Sequence, residues 1–183
     1  MAGRLLVVAG PSGSGKSSVV KGLRDRLDVD FSVSVTTRLP RPGEVHGEHY
    51  DFISRRDFEE MIENNELLEW AEYNNRFYGT PTAPIEEALA AGRDVLLEID
   101  IQGAHQIRDQ RPDAVMFFIT PPSIGELEKR LRRRGDTSEE DIEDRLVIAE
   151  SEMAEAPDLF DHIVVNDNLE LAIEDVLKLV TDE

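Results

Sequence analysis

Cysteine is absent from the 183 residues, which excludes disulfides, thiolate metal sites and thiol catalysis together. Long apolar runs are missing as well. No segment approaches the roughly 18 consecutive apolar residues of a membrane span. The stretch from Met1 to Ala9 holds one arginine and an apolar run far shorter than a signal-peptide core, so a soluble, cytoplasmic protein is expected. Positive charge is scarce: 20 Lys plus Arg stand against 39 Asp plus Glu, a formal net of −19. Such a field repels phosphate polymers and anionic lipid, so neither nucleic acid nor a membrane is expected as a partner. Lysine is the scarcer cation, with four against sixteen arginines, and a high-salt habitat and a biased genome both remain open as the origin of this balance. The length suits one α/β domain with a buried core and is too short for two catalytic domains. No internal repeat or low-complexity linker is present.

What the chain does contain is Gly10-Pro11-Ser12-Gly13-Ser14-Gly15-Lys16-Ser17, placed after an apolar strand-like run, Leu5 to Ala9, and before a helical pattern. A strand, a glycine-rich turn and a helix start aim backbone N–H groups and a helix dipole at one point, where phosphate oxygens can sit. Lys16 can then reach β- and γ-phosphates, and the Ser17 hydroxyl can ligate Mg²⁺. The alternative, a flexible Gly/Ser turn, does not call for that strand and helix context. A ligand so anionic in so acidic a chain requires local cations, and Arg38 with Arg41, and Arg130 with Arg132, Arg133 and Arg134, supply two clusters.

Ser17 to Leu27 reads as a helix with Val19, Val20, Leu23 and Leu27 on its apolar face. Buried strands are expected at Val95 to Ile99, at Ala114 to Ile119 and, shorter, at Val164-Val165, with a closing amphipathic helix from Leu169 to Val180. Strands alternating with helices imply a parallel sheet with ligands at the carboxyl ends of its strands. Two stretches interrupt this plan. Phe31 to Ala83 is rich in Thr, Arg, Gly, His and Tyr, and the alternation from Phe31 to Val35 suggests a small half-exposed sheet in an inserted substrate module. Ile124 to Arg145 is intensely charged, with a break at Gly135-Asp136-Thr137-Ser138, which suits a mobile helical lid whose second helix is capped by Ser138 and opens on Glu139, Glu140 and Asp141.

Within the module, Arg38 and Arg41 lie on a loop marked by Pro40, Pro42 and Gly43, where two guanidinium forks could grip a second phosphate. Tyr50 and Tyr78 either add hydroxyl donors there or are packed aromatics with wet tips. Glu69, between Leu67-Leu68 and Trp70, is either a partnered carboxylate or the polar side of an element end. The segment Ser34-Val35-Thr36-Thr37-Arg38, continuing through Arg41-Pro42-Gly43-Glu44 to Gly47-Glu48-His49-Tyr50-Asp51-Phe52, resembles the signature of guanylate kinases. So do Glu69-Trp70-Ala71, Tyr78-Gly79-Thr80-Pro81, Glu98-Ile99-Asp100-Ile101-Gln102-Gly103-Ala104 and the lid run Leu127 to Gly135.

The resemblance covers the whole chain and implies a P-loop nucleoside-monophosphate kinase fold: one α/β domain with a parallel sheet core flanked by helices, a GMP-binding module and a helical lid. Its core is expected at residues 1–30, 84–123 and 146–183, its module at 31–83 and its lid at 124–145. The implied reaction is ATP + GMP to ADP + GDP, with dGMP as a further acceptor and Mg²⁺ as cofactor, in purine nucleotide metabolism and GMP recycling. By the resemblance Gly10, Pro11, Ser12, Gly13, Ser14, Gly15, Lys16, Ser17 and Ser18 hold ATP, with Ser17 on the metal. Arg38, Arg41, Tyr50 and Tyr78 hold the GMP phosphate, Ser34, Glu69 and Thr80 read guanine, and Asp100 lies near the acceptor nucleoside and the metal. Arg130, Arg134 and Arg145 cover ATP, Asn166 and Asp167 belong to an adenine-side loop, and Lys16, Arg38, Arg134 and Arg145 act on the transferring phosphate. Arg132 and Arg133 are expected to be solvated or paired with Glu128, Asp136 and Glu139. A peptide-binding relative without catalysis and a kinase for another monophosphate are the rival readings. Small-molecule substrates and a monomer or homodimer are expected.

Overall fold

The computed structural model describes residues 2–73, 75–134 and 138–182. The chain divides into two compact units, one of Met1–Leu5, Val29–Leu97 and Gln102–Ala114, the other of Leu6–Asp28, Glu98–Ile101 and Val115–Glu183.

In the second unit the apolar run forms β1 (Leu5–Ala9), whose five residues are all buried, as a strand covered on both faces requires. It pairs in parallel with β8 (Val115–Thr120), Leu6 opposite Val115, and β8 pairs in parallel with β9 (His162–Val165), Phe117 opposite His162. Helix α1 (Lys16–Arg24) buries Val19, Val20 and Leu23. Leu27 lies beyond its end, where the Arg26 and Leu27 N–H groups both turn back to the Leu23 carbonyl. The closing helix α7 (Leu169–Asp182) approaches α1 closely at Gly22, where a Cβ would stand 2.3 Å from Ile173 Cδ1. Helices α5 (Ile124–Arg134) and α6 (Glu139–Leu159) share a core of Leu127, Leu131, Ile142 and Ala149. The expected break at Gly135, Asp136 and Thr137 lies outside the described residues. Ser138 caps α6 as expected, accepting from the Asp141 N–H at 3.1 Å. The helix then runs through the position where the sequence suggests a change from lid to core.

In the first unit β2 (Val29–Phe31) pairs in parallel with β7 (Asp94–Glu98). Val29 stands opposite Asp94 and Phe31 opposite Leu96 in this pair. A second sheet has the order β4-β3-β6-β5, built from β3 (Val35–Thr36), β4 (Asp51–Phe52), β5 (Leu67–Tyr73) and β6 (Arg76–Pro81). Its β3–β4 pair is parallel, and the other pairs are antiparallel. The small sheet suggested by the alternation from Phe31 to Val35 is present, but the alternating residues are shared between two sheets: Phe31 ends β2 in one and Val35 opens β3 in the other. Five alternating residues fit two strand stubs as well as one strand, and only the partners decide. Val35, Phe58 and Phe77 form the core of the second sheet, with the two rings stacked at 5.1 Å. Phe58 sits on α2 (Arg55–Glu63), which starts with a capping box between Ser54 and Asp57. Helices α3 (Thr82–Ala90) and α4 (Ile101–Gln110) complete the elements.

Candidate functional site

The phosphate loop has the backbone its glycines permit. Gly13 and Gly15 stand at φ 89° and 90°, and both are also closed to a side chain. A Cβ on Gly13 would meet Leu127 and Leu131 methyls at 3.0 Å, and one on Gly15 would meet Asn166 Nδ2 at 2.3 Å. Helix α1 begins at once after Gly15, with no side-chain cap and no acidic residue in its first turn. The positive end of its dipole is thus left to an anion.

Around this loop the predicted residues take more structural roles than expected. Asn166, 5% exposed, donates from Nδ2 to the Ser14 carbonyl at 2.8 Å. Arg130 donates to the same carbonyl at 3.3 Å and to the Asn166 carbonyl at 2.9 Å. Both residues therefore brace the loop from behind. Arg145 reaches Ser12 Oγ at 3.4 Å. Arg134 ends α5, and its side chain lies outside what the structure describes. Arg132 is paired with Glu128 at 2.5 Å and Glu139 at 2.9 Å, as the charge pattern suggests.

Two carboxylates near the loop were not singled out by sequence reasoning. Glu98, at the end of β7, accepts from the Ser17 hydroxyl at 2.5 Å. Its signal in the sequence is an acid closing a buried apolar run. Glu152, half-buried on α6, has its carboxyl pushed up to about 7 by burial, opposed by Lys16 and reinforced by Asp100 and Glu155. Asp100, assigned by resemblance to the acceptor nucleoside, is thus one of the charges that act on Glu152.

In the other unit the structure gathers Arg38, Tyr50 and Tyr78. The Arg38 guanidinium stands 5.3 Å from the Tyr50 ring centroid and interacts with Tyr78, and the two tyrosine rings meet edge-on at 6.2 Å. Arg38 is not vacant: its fork holds Glu44 bidentately at 2.7 and 2.9 Å. The Arg41 backbone N–H donates to the same carboxylate at 2.6 Å. Hydrogen bonding from Arg38 holds the Glu44 carboxyl at about 2, well below its ordinary value. The Arg41 side chain is exposed.

Tyr78 and Thr80 alternate along β6 and so share a face, and Thr80 lies opposite Glu69 in the β5–β6 register. Glu69 is 6% and Thr80 0% exposed, and the Thr80 hydroxyl donates to Glu69 Oε1 at 2.5 Å. Ser34, just before β3, accepts from the Asp51 N–H through its carbonyl at 2.9 Å.

A glycine-rich loop between the first strand of a parallel sheet and an uncapped helix defines a P-loop nucleotide-binding protein of the α/β class. The family model for guanylate kinase matches residues 2–183. A guanylate kinase of Synechococcus sp. (strain JA-3-3Ab) is 51% identical over 97% of this chain and 82% of its own length. One of Carboxydothermus hydrogenoformans is 48% identical over 99% of this chain and 89% of its length. The crystal structure of guanylate kinase from Anaplasma phagocytophilum superposes with a TM-score of 0.82 at 31% identity, covering 99% of this chain and 86% of that one. The chain belongs to the guanylate kinase family.

Proposed function

We propose that this protein phosphorylates GMP to GDP with ATP, holding ATP on Gly10 to Ser18 and GMP on Ser34, Arg38, Arg41, Tyr50, Glu69, Tyr78 and Thr80. The observation that carries the acceptor's identity is the buried pair of Glu69 and Thr80. A carboxylate accepts from guanine N1–H and N2–H₂, whereas adenine presents an unprotonated N1 and no 2-amino group and leaves that carboxylate unpaired. The fork of Arg38, already engaged by a carboxylate, has the geometry an acceptor phosphate needs.

The GMP phosphate is an anionic nucleophile at neutral pH, so no general base is required. The obstacle is repulsion between two polyanions. Lys16 and the lid arginines Arg134 and Arg145 offset charge on the transferring phosphoryl, while Arg38 and Arg41 align the acceptor. Among the described residues no group of three or more His, Asp or Glu could hold a metal by itself. The hydroxyl of Ser17 and the carboxylate of Glu98 form an oxygen-donor pair that would suit Mg²⁺ held together with nucleotide phosphates and water. That ion would supply charge neutralisation on the phosphate oxygens.

A peptide-binding relative without catalysis is disfavoured by the intact loop with Lys16 and Ser17. Among the described residues no helix is long and apolar enough to cross a membrane. The deciding experiment is a coupled assay with GMP, AMP, CMP and UMP as acceptors. GMP is expected to be used far better than the other three. Equal use of AMP would remove the reading of Glu69, and no turnover with any of them would favour the binding module.

A further inference from the structure

We infer that Gly103, Gln106 and Gln110, on one stripe of α4, are positioning residues that hold the Glu69 carboxylate and thereby set base selectivity; the inference rests on the reading of Glu69 as the acceptor of guanine's hydrogen bonds. Residues three and seven apart on a helix share a face. All three of these lie against β5.

Glycine is among the poorest helix formers, and Gly103 lies inside α4. Its backbone does not explain it, since it is not among the glycines with positive φ. Space does. A Cβ at this position would stand 2.5 Å from Glu69 Oε2, 3.0 Å from its Cδ and 3.4 Å from its Cγ, and these are its three nearest atoms. The atoms in the way belong to the end of one side chain. A methyl group there would displace the carboxylate and leave the helix intact. Glu69 Oε1 is meanwhile held by Thr80 Oγ1, so a shove on Oε2 pulls against that bond.

Gln106 and Gln110 fix the backbone on either side of Glu69. Gln106 accepts from the Trp70 N–H at 3.1 Å and donates to the Trp70 carbonyl at 2.8 Å. Gln110 donates to the Leu68 carbonyl at 2.9 Å. Strand β5 is an edge of its sheet, and the two amides stand in for the neighbouring strand it lacks. The anchorage matters here because the β5–β6 register shifts between Leu67 and Glu69, and a bulged strand can otherwise re-aim its side chains. Apolar cover would shield the edge equally well, but it would not set the register of the carboxylate.

The test compares the wild type with Gly103→Ala, Gln106→Leu, Glu69→Ala and the double variant Gly103→Ala/Glu69→Ala, reading kcat and KM for GMP, AMP and ATP and the thermal midpoint. In Gly103→Ala the midpoint should stay close to that of the wild type, because the better helix propensity of alanine offsets the cost of disturbing the Glu69–Thr80 bond. Its GMP-over-AMP efficiency ratio should fall about tenfold or more, through KM for GMP and with KM for ATP unchanged. Gln106→Leu should move the ratio in the same direction. In the Glu69→Ala background the alanine at position 103 should cause no further loss, since the group it disturbs is gone. An unchanged ratio in Gly103→Ala, or losses that multiply in the double variant, would overturn the inference while leaving Glu69 in place. An unchanged ratio in Glu69→Ala would instead remove the reading beneath it.

Discussion

Arg38 and Arg41 differ in a way their spacing conceals. Arg38 is locked in a bidentate pair with Glu44, both side chains mostly buried, at 14% and 17% exposure, whereas Arg41 meets that carboxylate through its backbone N–H and leaves its guanidinium exposed. Arg41→Ala should therefore disturb little of the fold and raise KM for GMP well above any change in KM for ATP. Equal rises for both substrates would take Arg41 out of the acceptor site. Glu152 gives a second expectation, on pH. Its carboxyl is pushed up from 4.5 to about 7 in the fold by burial, with Lys16 opposing and Asp100 and Glu155 adding to the rise. The folded state thus binds more protons than the unfolded state between those values, and stability must fall as pH rises through that window. Glu152→Gln should match the wild type in thermal midpoint near pH 4 and exceed it near pH 8. A difference independent of pH would overturn this account. Glu44 acts in the opposite sense: its contribution is present above pH 4.5 and is lost as pH falls towards 2.

At the scale of the element, α2 illustrates how a short helix is held. It has nine residues, too few to be stable by itself, and it is held by Phe58, with Met61 and Ile62 packed beside it, and by its capped start. Ser54 Oγ accepts from the Asp57 N–H at 3.1 Å, and Asp57 Oδ2 accepts from the Ser54 N–H at 3.4 Å. Two otherwise unsatisfied donors are met in this way. Ser54→Ala should destabilise by about 1 kcal/mol, read as a lower urea midpoint with unchanged slope. A loss below a few tenths would mean that water replaces the cap. Glu59 and Glu60, paired with Arg55 and Arg56 four residues earlier, add less because all four side chains are exposed.

Over the whole molecule, net charge decides between opposing effects of salt. The surface carries pairs such as Arg26–Glu170 and Arg93–Asp30, and salt weakens each of them. An exposed pair contributes only about 0–1 kcal/mol, whereas a formal −19 over 183 residues repels throughout. Screening shortens from roughly 10 Å at 0.1 M to about 3 Å at 1 M, so relief of repulsion should win. The thermal midpoint should rise from low to molar KCl. A flat or falling midpoint would leave genome bias as the source of the acidity. Phosphate contacts by arginine weaken under the same ions, so activity should peak below the salt that gives greatest stability.

Local spacing carried the phosphate loop, β1, β8 and the start of α7, because glycine conformations, caps and buried apolar runs depend on residues within a turn or two of one another. Resemblance added the family and most candidate site residues, including Glu69 and Thr80, which the β5–β6 register places opposite each other. Partnerships across the chain were not legible. Phe31 and Val35 went to different sheets. Asn166 braces Ser14 from 152 positions away, Glu98 meets Ser17 from 81 away, and Gln106 edges Trp70 from 36 away. Gly103 is the clearest case: within a helix its sequence signal is a defect, and only the carboxylate of Glu69 packed against it supplies the reason. Backbone conformation is a property of neighbours in sequence, while the space a side chain must leave is set by whatever the fold brings against it.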